Sequence, residues 1–394
     1  MKDSGTQMYS PPLMPIRVVA IDDSSTMRHV YQRIFSSCPD IELAGVANDG
    51  PSGVEMVQQL RPDLVLLDIE MPLMDGLAVL SHLRQQMPRL PVIMCSTLTH
   101  RGAAITLEAL FRGAADYVAK PQFEETPQAA IENFRESLVE RVRALGSRTR
   151  MYSAIDTGNM SAGHPYRVSS GACVEVVVMG ASTGGPQALE KVLCALPADF
   201  PVPVLVVQHI PPLFLPLLAE RLQKYCRLRV QESVDAMALQ PGSIWLARGD
   251  WHLRIAPAST LYSKDSGKHG MVQRLSQDAP IHYCRPAVDA LFLSAAEVYG
   301  AASLGVVLTG MGSDATEGAR AIRAAGGSVL AQDAASSTIW GMPGSVVKAG
   351  LADAVLPLEQ IAGEMLRRVS RHASPPTEPV IHPYADSKGR YEVQ

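Results

Sequence analysis

The sequence is poor in aromatic residues and has little net charge. Only 5% of its 394 residues are aromatic, so aliphatic side chains must dominate its cores, as they do in parallel sheets covered by helices. Lys and Arg number 35 against 39 Asp and Glu, a formal net charge of −4. Proteins that bind DNA or RNA usually need a positively charged face. We therefore expect no nucleic-acid partner.

Paired cysteines and long apolar runs are also missing. None of the six scattered cysteines forms a C-x-x-C pair, so the sequence predicts neither a zinc site nor a disulfide framework, a pattern typical of a reduced, cytoplasmic protein. The most apolar long window, residues 290–312, is interrupted by Glu297 and by glycines, which predicts a helix and a strand rather than a membrane span. The N-terminus lacks the apolar core of a signal peptide. The interpretation is a cytoplasmic protein without membrane insertion.

The sequence does contain a regular alternation of short apolar runs and helical patterns. Five such strand–helix units fill residues 16–145, which predicts one parallel, doubly wound α/β sheet. The predicted strands are 16–21, 41–47, 64–67, 91–95 and 115–118. The predicted helices lie near 24–37, 51–60, 75–86, 102–113 and 127–145.

A second alternation begins at residue 174. Its predicted strands are 174–179, 202–208, 243–247, 304–309 and 328–331, with some antiparallel pairing expected within 227–275. Its predicted helices lie near 186–196, 213–224, 286–299, 314–325 and 357–371. The predicted organisation is a flexible leader (1–15), a first α/β domain (16–145), a Ser- and Gly-rich linker (146–173), a second α/β domain (174–372) and a disordered tail (373–394).

Three carboxylates follow strands of the first domain. Asp22 and Asp23 follow the first strand, and Asp68 follows the third. Ligands of doubly wound sheets bind at the carboxyl ends of the strands, and carboxylate oxygens suit Mg²⁺. Each residue alone could be only a helix N-cap. With Ser96 after the fourth strand and Lys120 after the fifth, the pattern favours a site for Mg²⁺ and a phosphoryl group.

These residues resemble those of the response-regulator receiver domain. The similarity covers Asp22-Asp23, the run D-x-x-M-P-x-M-D-G at residues 68–76, Ser96 and Lys120-Pro121. The resemblance implies a flavodoxin-like (βα)5 fold in which Asp68 accepts a phosphoryl group from a chemotaxis histidine kinase. It implies four oxygen donors for Mg²⁺: Asp22 directly or through water, Asp23, Asp68 and the Glu70 carbonyl.

The same resemblance assigns roles to three further residues of the first domain. It implies that Lys120 pairs with the phosphoryl group. It also implies that Ser96 and Tyr117 change position on phosphorylation. The bond between Lys120 and Pro121 is a candidate cis peptide bond.

A glycine-rich turn follows the first strand of the second domain. Gly180-Ala181-Ser182-Thr183-Gly184 matches G-x-S-x-G between a strand and a helix, the setting of a serine nucleophile. N–H groups at the helix start could hold a developing oxyanion. The same turn could instead be an ordinary N-cap or a phosphate-binding loop. The motif alone leaves these interpretations open.

A serine nucleophile needs a base, and the base needs an orienting acid. His209 closes the next strand and Asp314 follows a later one, so both are expected at the same sheet edge as the serine. Their order differs from the Ser, Asp, His order of α/β hydrolases. His282 with Asp235 or Asp250 is the alternative, but no strand end supports it. We therefore prefer His209 and Asp314.

Four motifs of the second domain resemble the chemotaxis protein-glutamate methylesterase family over about residues 174–366. They are residues 180–185, Gln208-His209, residues 308–314 and Gly341-Met342-Pro343. The resemblance implies a doubly wound, mostly parallel α/β fold and an esterase site without a cofactor. It implies the following site residues: Ser182 as nucleophile, His209 as general base, Asp314 as orienting acid, and Thr183 and the Met311 backbone as lining.

The sequence departs from that family at three positions. Ala315 stands where the family usually has Gly, and a methyl group is expected to be tolerated at a helix start. Cys284 and Ala287 stand where the family has His and Ser, which is expected to alter the rim of the cleft.

The resulting hypothesis is a phosphorylation-activated enzyme that hydrolyses glutamate methyl esters on methylated chemoreceptors and deamidates receptor glutamines. In the resting state the first domain is expected to cover the esterase cleft. Two alternatives stay open: a serine hydrolase of another substrate under the same control, and a non-catalytic, receiver-controlled binding module.

Overall fold

The chain forms two parallel α/β sheets, each covered by helices. A computed structural model describes residues 14–97, 99–121, 127–155, 173–258 and 270–370. The predicted leader, except its last two residues, and the predicted tail lie outside the described residues. Within the described ranges, no helix is long and apolar enough to cross a membrane.

The first sheet has five strands in the order β2-β1-β3-β4-β5, all parallel. The strands are β1 (Ile16–Ile21), β2 (Ile41–Ala47), β3 (Leu64–Asp68), β4 (Val92–Ser96) and β5 (Asp116–Ala119). The helices are α1 (Ser25–Ser36), α2 (Gly50–Leu60), α3 (Gly76–Gln86), α4 (His100–Phe111) and α5 (Pro127–Ile155). This order confirms the doubly wound arrangement predicted for the first domain.

Local sequence explains where the elements of the first sheet begin and end. The central strands β3 and β4 are buried along their whole length, as expected for aliphatic strands with helices on both faces. Asp49 and Asp75 are N-caps that accept hydrogen bonds from backbone N–H groups in the first turns of α2 and α3. Helix α5 continues to Ile155, into the segment predicted as linker, and residues 156–172 lie outside the described residues.

The second sheet has seven parallel strands in the order β14-β13-β12-β6-β7-β9-β8. The remaining strands, β10 and β11, form a separate antiparallel hairpin. The strands are β6 (Val176–Ala181), β7 (Val204–Gln208), β8 (Arg229–Glu232), β9 (Ser243–Leu246), β10 (His252–Pro257), β11 (Met271–Ser276), β12 (Ser303–Val307), β13 (Ser328–Gln332) and β14 (Ala354–Leu356). The helices are α6 (Gly185–Leu193), α7 (Leu215–Tyr225), α8 (Val288–Tyr299), α9 (Thr316–Ala324), α10 (Met342–Lys348) and α11 (Leu358–Val369).

The second domain has the predicted α/β fold and three further elements, β8, β14 and α10. Antiparallel pairing within 227–275 is confirmed for the β10–β11 hairpin, whereas β8 pairs in parallel with β9. The sequence patterns missed the edge strands β8 and β14 and the short helix α10. Strands β6, β7 and β12 lie side by side at the centre of the sheet, so the turns that follow them share one edge.

Candidate active site

The turn after β6 holds Ser182 between two neighbouring strand ends. Its N–H donates to the Thr309 carbonyl at 3.0 Å, and its carbonyl accepts from the Gly185 N–H at 2.7 Å and the Gln208 side-chain amide at 3.0 Å. Gly184 has φ 75°, a left-handed conformation that favours glycine. The turn therefore fixes the serine backbone just before α6 begins.

His209 lies next to this turn at the end of β7. Its N–H donates to the Ala181 carbonyl at 3.0 Å, and its Nε2 lies 2.9 Å from Oδ2 of Asp314. Burial alone would lower the pKa of His209, but hydrogen bonds with Asp314 and Cys284 outweigh burial and raise that pKa to about 9. The structure thus brings together the predicted histidine and aspartate in one hydrogen-bonded pair.

Asp314 is a buried carboxylate, with 3% of its surface exposed, and its oxygens are fully engaged. Oδ2 accepts the Val288 N–H at 2.7 Å, and Oδ1 accepts the Asp289 and Ala315 N–H groups at 2.8 and 2.9 Å. Burial raises its pKa, but the bonds from His209 and these backbone donors outweigh burial and hold the pKa below its usual value. Asp314 is therefore a charged acceptor at the positive start of α8.

The charge on Asp314 determines which nitrogen of His209 can act as a base. An ionised carboxylate only accepts, so Nε2 carries the proton and donates it to Asp314. In the neutral ring, Nδ1 is then the proton acceptor. Nδ1 lies 3.8 Å from Sγ of Cys284, a contact that sequence reasoning did not foresee.

Four of the five residues predicted for the esterase site line one cavity of about 550 Å³ between the two domains. Ser182, Thr183, His209 and Met311 all contribute to its wall. In the described part of the chain, the Ser182 hydroxyl makes no hydrogen bond, so it is free to contact a ligand in the cavity. A side chain at Gly310 would meet Cβ of Ser182 at 2.8 Å, which explains the glycine beneath the serine.

Two features of this region differ from the sequence-based expectation. Ala315 has φ 93°, in the left-handed region that favours glycine, so its methyl group is accommodated with backbone strain. His282 pairs with Asp289 at 3.2 Å and not with Asp235 or Asp250. Although His282 also lines the cavity, the alternative pairings considered from the sequence are not formed.

A second cluster of charged groups lies at the corresponding edge of the first sheet. Oxygen atoms of Asp22, Asp23 and Asp68 lie within 4.8 Å of one another, a spacing that a metal ion could bridge. Nζ of Lys120 lies 2.8 Å from Asp68 and 3.0 Å from Asp22. Burial raises the pKa of Asp68, and although Lys120 opposes this, the result with Asp22 nearby is a pKa of about 6. An all-oxygen set around a buried carboxylate fits Mg²⁺.

The other residues predicted for the first domain lie around this cluster. Ser96 is buried at the end of β4, and its hydroxyl donates to the Thr97 carbonyl at 3.1 Å. Glu70 follows Asp68, the last residue of β3, by two positions, and its side chain is exposed. The Lys120–Pro121 bond is trans, and the cis peptide bond found in the described residues is Arg285–Pro286.

Tyr117 reaches from the first domain into the second. Its ring stacks on Phe214 with the ring centres 5.0 Å apart and an interplanar angle of 25°. The preceding residue, Asp116, accepts a 2.7 Å hydrogen bond from the Thr183 hydroxyl and a 3.1 Å bond from Arg141 Nε. The first domain therefore contacts the residue that follows Ser182. No sequence motif marked Asp116.

A charged contact extends this interface along α4. Arg221 on α7 donates to Glu108 at 2.8 Å and to Glu190 at 3.0 Å. Its guanidinium carbon lies 3.8 Å from the centre of the Phe111 ring. Gln187 on α6 donates to two backbone carbonyls of the first domain. The interface thus combines polar, charged and aromatic contacts on two helices of the second domain.

The fold and the two sites define a two-domain α/β protein in which a receiver-type domain covers a second domain with Ser, His and Asp at its sheet edge. Residues 18–132 match the family model of the response regulator receiver domain, and residues 177–365 match that of the CheB methylesterase. The chain belongs to the CheB methylesterase family, in the form that carries a receiver domain.

Curated relatives match the chain over almost its whole length. A protein-glutamate methylesterase/protein-glutamine glutaminase of Trichodesmium erythraeum is 42% identical over 356 residues, covering 90% of this chain and 99% of the relative. A relative of the same name from Nocardioides is 44% identical over 362 residues, covering 90% of this chain and 96% of the relative. The crystal structure of the Thermotoga maritima CheB methylesterase catalytic domain is 38% identical, covers 50% of this chain and 99% of that chain, and has a TM-score of 0.46.

Proposed function

We propose that this protein is a phosphorylation-controlled enzyme that hydrolyses glutamate methyl esters on chemoreceptors and also deamidates receptor glutamines. Ester hydrolysis and amide hydrolysis share the same acyl chemistry and match the name of the relatives. The observation that carries the proposal is that Ser182 and His209 lie on one cavity wall at adjacent strand ends, with buried Asp314 hydrogen-bonded to His209. We also propose that this reaction takes place in the cytoplasm.

The proposed reaction begins with Ser182. Its hydroxyl oxygen attacks the ester carbonyl while Nδ1 of His209 takes the proton. Asp314 holds the ring orientation and stabilises the imidazolium that forms. N–H groups at the start of α6 hold the oxyanion. Methanol leaves with the proton from His209, and water then hydrolyses the acyl-enzyme by the same route.

The first domain supplies the proposed control of this reaction. Asp22, Asp23, Asp68 and the Glu70 carbonyl would hold Mg²⁺, which neutralises charge while a phosphoryl group is transferred. Asp68 accepts that group from a histidine kinase, and Lys120 pairs with it. The negative charge then shifts Ser96 and Tyr117. Because Tyr117 stacks on Phe214, its movement weakens the contact that covers the cavity.

A receptor-based assay tests the proposed function. Methanol release is measured from a methylated chemoreceptor fragment, with and without Mg²⁺ and a small phosphodonor. We expect stimulation by the phosphodonor in the wild type and none in Asp68→Ala. Asp75→Ala is the matched control, because Asp75 caps α3 and does not belong to the Asp68 cluster. Activity on simple methyl esters without any on receptors would favour a hydrolase of another substrate.

Replacing Arg221 with alanine is expected to raise the activity without phosphodonor. The change removes the bond to Glu108 and the contact with Phe111, and a half-buried contact of this kind contributes about 1–2 kcal/mol. That energy corresponds to a factor of about 5–30 in the ratio of docked to undocked protein. Methanol release is measured with and without phosphodonor, beside Arg320→Ala, an exposed control on α9. Unchanged basal activity would refute the docking role.

Hydrolysis is expected to increase with pH and to level off above about 9. The reaction needs neutral His209, and the pKa of His209 is about 9, raised by Asp314 and Cys284 against the effect of burial. Cys284→Ala removes one of these contacts, so its profile should shift to lower pH. The values of kcat/KM are measured across pH after subtracting uncatalysed hydrolysis, with the exposed Cys173→Ala as control. A flat wild-type profile from pH 6 to 9 would contradict the assignment.

A further inference from the structure

Two cysteines meet at the ends of neighbouring helices, away from the cavity. Cys194 is the C-cap residue of α6 and Cys226 is the C-cap residue of α7. Their sulfur atoms lie 2.6 Å apart. Both are free thiols in the structure. Because a disulfide bond is about 2.0 Å long, the helices already hold the two sulfurs within a short movement of bonding distance.

This pairing is specific among the six cysteines. In the described residues, no other two cysteine sulfurs approach within hydrogen-bonding distance. Cys226 is buried, with 8% of its surface exposed, whereas Cys194 is partly exposed. A small oxidant can therefore reach Cys194 first, and Cys226 is positioned to resolve the product.

The two helices that the thiols would link both bind the first domain. Helix α6 carries Gln187, which donates to the Ala114 carbonyl at 3.2 Å. Helix α7 carries Arg221, which contacts Glu108 on α4. Arg221 also donates to Glu190 on α6 at 3.0 Å, so the two helices already share one contact. A covalent link would fix their spacing and lower the entropy lost on docking.

We propose that Cys194 and Cys226 form a reversible disulfide under peroxide, and that this bond stabilises the docked first domain and reduces activation by phosphorylation. The thiolate of Cys194 attacks hydrogen peroxide, an S–O bond forms, the O–O bond breaks, and hydroxide leaves. The thiolate of Cys226 then attacks the sulfenic sulfur, the S–S bond forms, and a second hydroxide leaves. With the two thiol protons, the products are one disulfide and two water molecules. A dithiol reductant reverses the change.

Burial affects the rate of this oxidation. It raises the pKa of both thiols, so little thiolate is present at neutral pH. We therefore expect the bond to form more slowly than the oxidation of an exposed thiol. Cys173 is exposed and has no sulfur neighbour in the described residues, so Cys173→Ser provides a background free of that competing reaction.

The first test follows the bond itself and needs no enzyme activity. The full-length Cys173→Ser protein is treated with hydrogen peroxide over a time course, and its thiols are counted under denaturing conditions. The count should fall from five by two, and peptide mass spectrometry should find Cys194 and Cys226 joined, with two hydrogens lost. Dithiothreitol should restore both thiols. If Cys194 and Cys226 remain fully alkylatable while the other thiols oxidise, the proposal is wrong.

The second test follows the regulatory effect, which rests on the proposed function. Stimulation of methanol release by phosphodonor is compared between reduced and oxidised protein. It should fall on oxidation, return with dithiothreitol, and stay unchanged in Cys194→Ser and Cys226→Ser. Both variants keep Cys284, so a loss of stimulation caused by oxidation of Cys284 at the cavity would occur in them as in the wild type. A disulfide without any change in stimulation would overturn the regulatory effect. Absence of activity in the reduced protein would refute the proposed function. It would not affect the proposal that Cys194 and Cys226 form a disulfide, which the first test decides.

Discussion

Replacement of Ser182 with alanine should reduce methanol release by about 10⁵- to 10⁶-fold, as loss of the nucleophile does in serine hydrolases. Ser182 and His209 line the same cavity, and without the serine hydroxyl the proposed attack has no nucleophile. Receptor binding and phosphorylation of Asp68 should persist, because the turn is held by backbone bonds. Both are measured beside methanol release, with a phosphoprotein assay and a pull-down of the receptor fragment.

Ser313→Ala is the matched control for this experiment. Ser313 is exposed in the turn before Asp314 and does not line the cavity. Its replacement should leave methanol release near that of the wild type. If Ser182→Ala retained wild-type activity, the serine mechanism would be wrong and a receiver-controlled binding module would become the better interpretation.

Asp314→Asn is expected to lower kcat/KM by about 10⁴-fold, similar to the change that disturbs the histidine tautomer in serine proteases. The carboxylate accepts bonds from His209 and from three backbone N–H groups, at Val288, Asp289 and Ala315. An amide offers only one accepting oxygen, so some of these donors lose their partner. Each unpaired buried donor costs about 1–3 kcal/mol of stability. Activity and denaturant unfolding are therefore measured together.

Asp289→Asn separates the catalytic effect of Asp314 from the structural one. Asp289 is also buried at the start of α8 and accepts the Gly318 N–H at 2.7 Å, but its side chain pairs with His282 and not with His209. We expect it to lower the free energy of unfolding without a comparable loss of kcat/KM. Equal activity losses in folded Asp289→Asn and Asp314→Asn would show that Asp314 acts only through the structure.

Much of the fold follows from local patterns in the sequence. Strands such as β3 and β12 are buried along their whole length, and their aliphatic runs between polar turns mark them clearly. The edge strand β14 has three residues, two of them only half-buried, so no apolar run identifies it. Helix α5 runs to Ile155, past the end that the apolar sequence pattern predicts, because extending an existing helix needs no new nucleus. Sequence patterns therefore predict the buried elements better than the edges.

The candidate site was predictable where each residue ends a strand. His209 and Asp314 meet because the strands before them belong to one parallel sheet, a relation that strand order alone implies. The contact between Asp116 and Thr183 depends on how two domains pack, and no periodicity within either domain encodes it. The approach of Cys284 to His209 comes from a loop, for which the sequence has no spacing rule.

The stacking of Tyr117 on Phe214 has a thermodynamic consequence that works in both directions. If the phosphoryl group on Asp68 lowers the equilibrium constant for docking by some factor, docking must lower the equilibrium constant for phosphorylation by the same factor. The two effects are equal because linkage is reciprocal. The second domain is then a ligand that opposes phosphorylation of the first. A receptor that holds the cavity open would shift the same equilibrium, so abundant substrate would favour the phosphorylated enzyme.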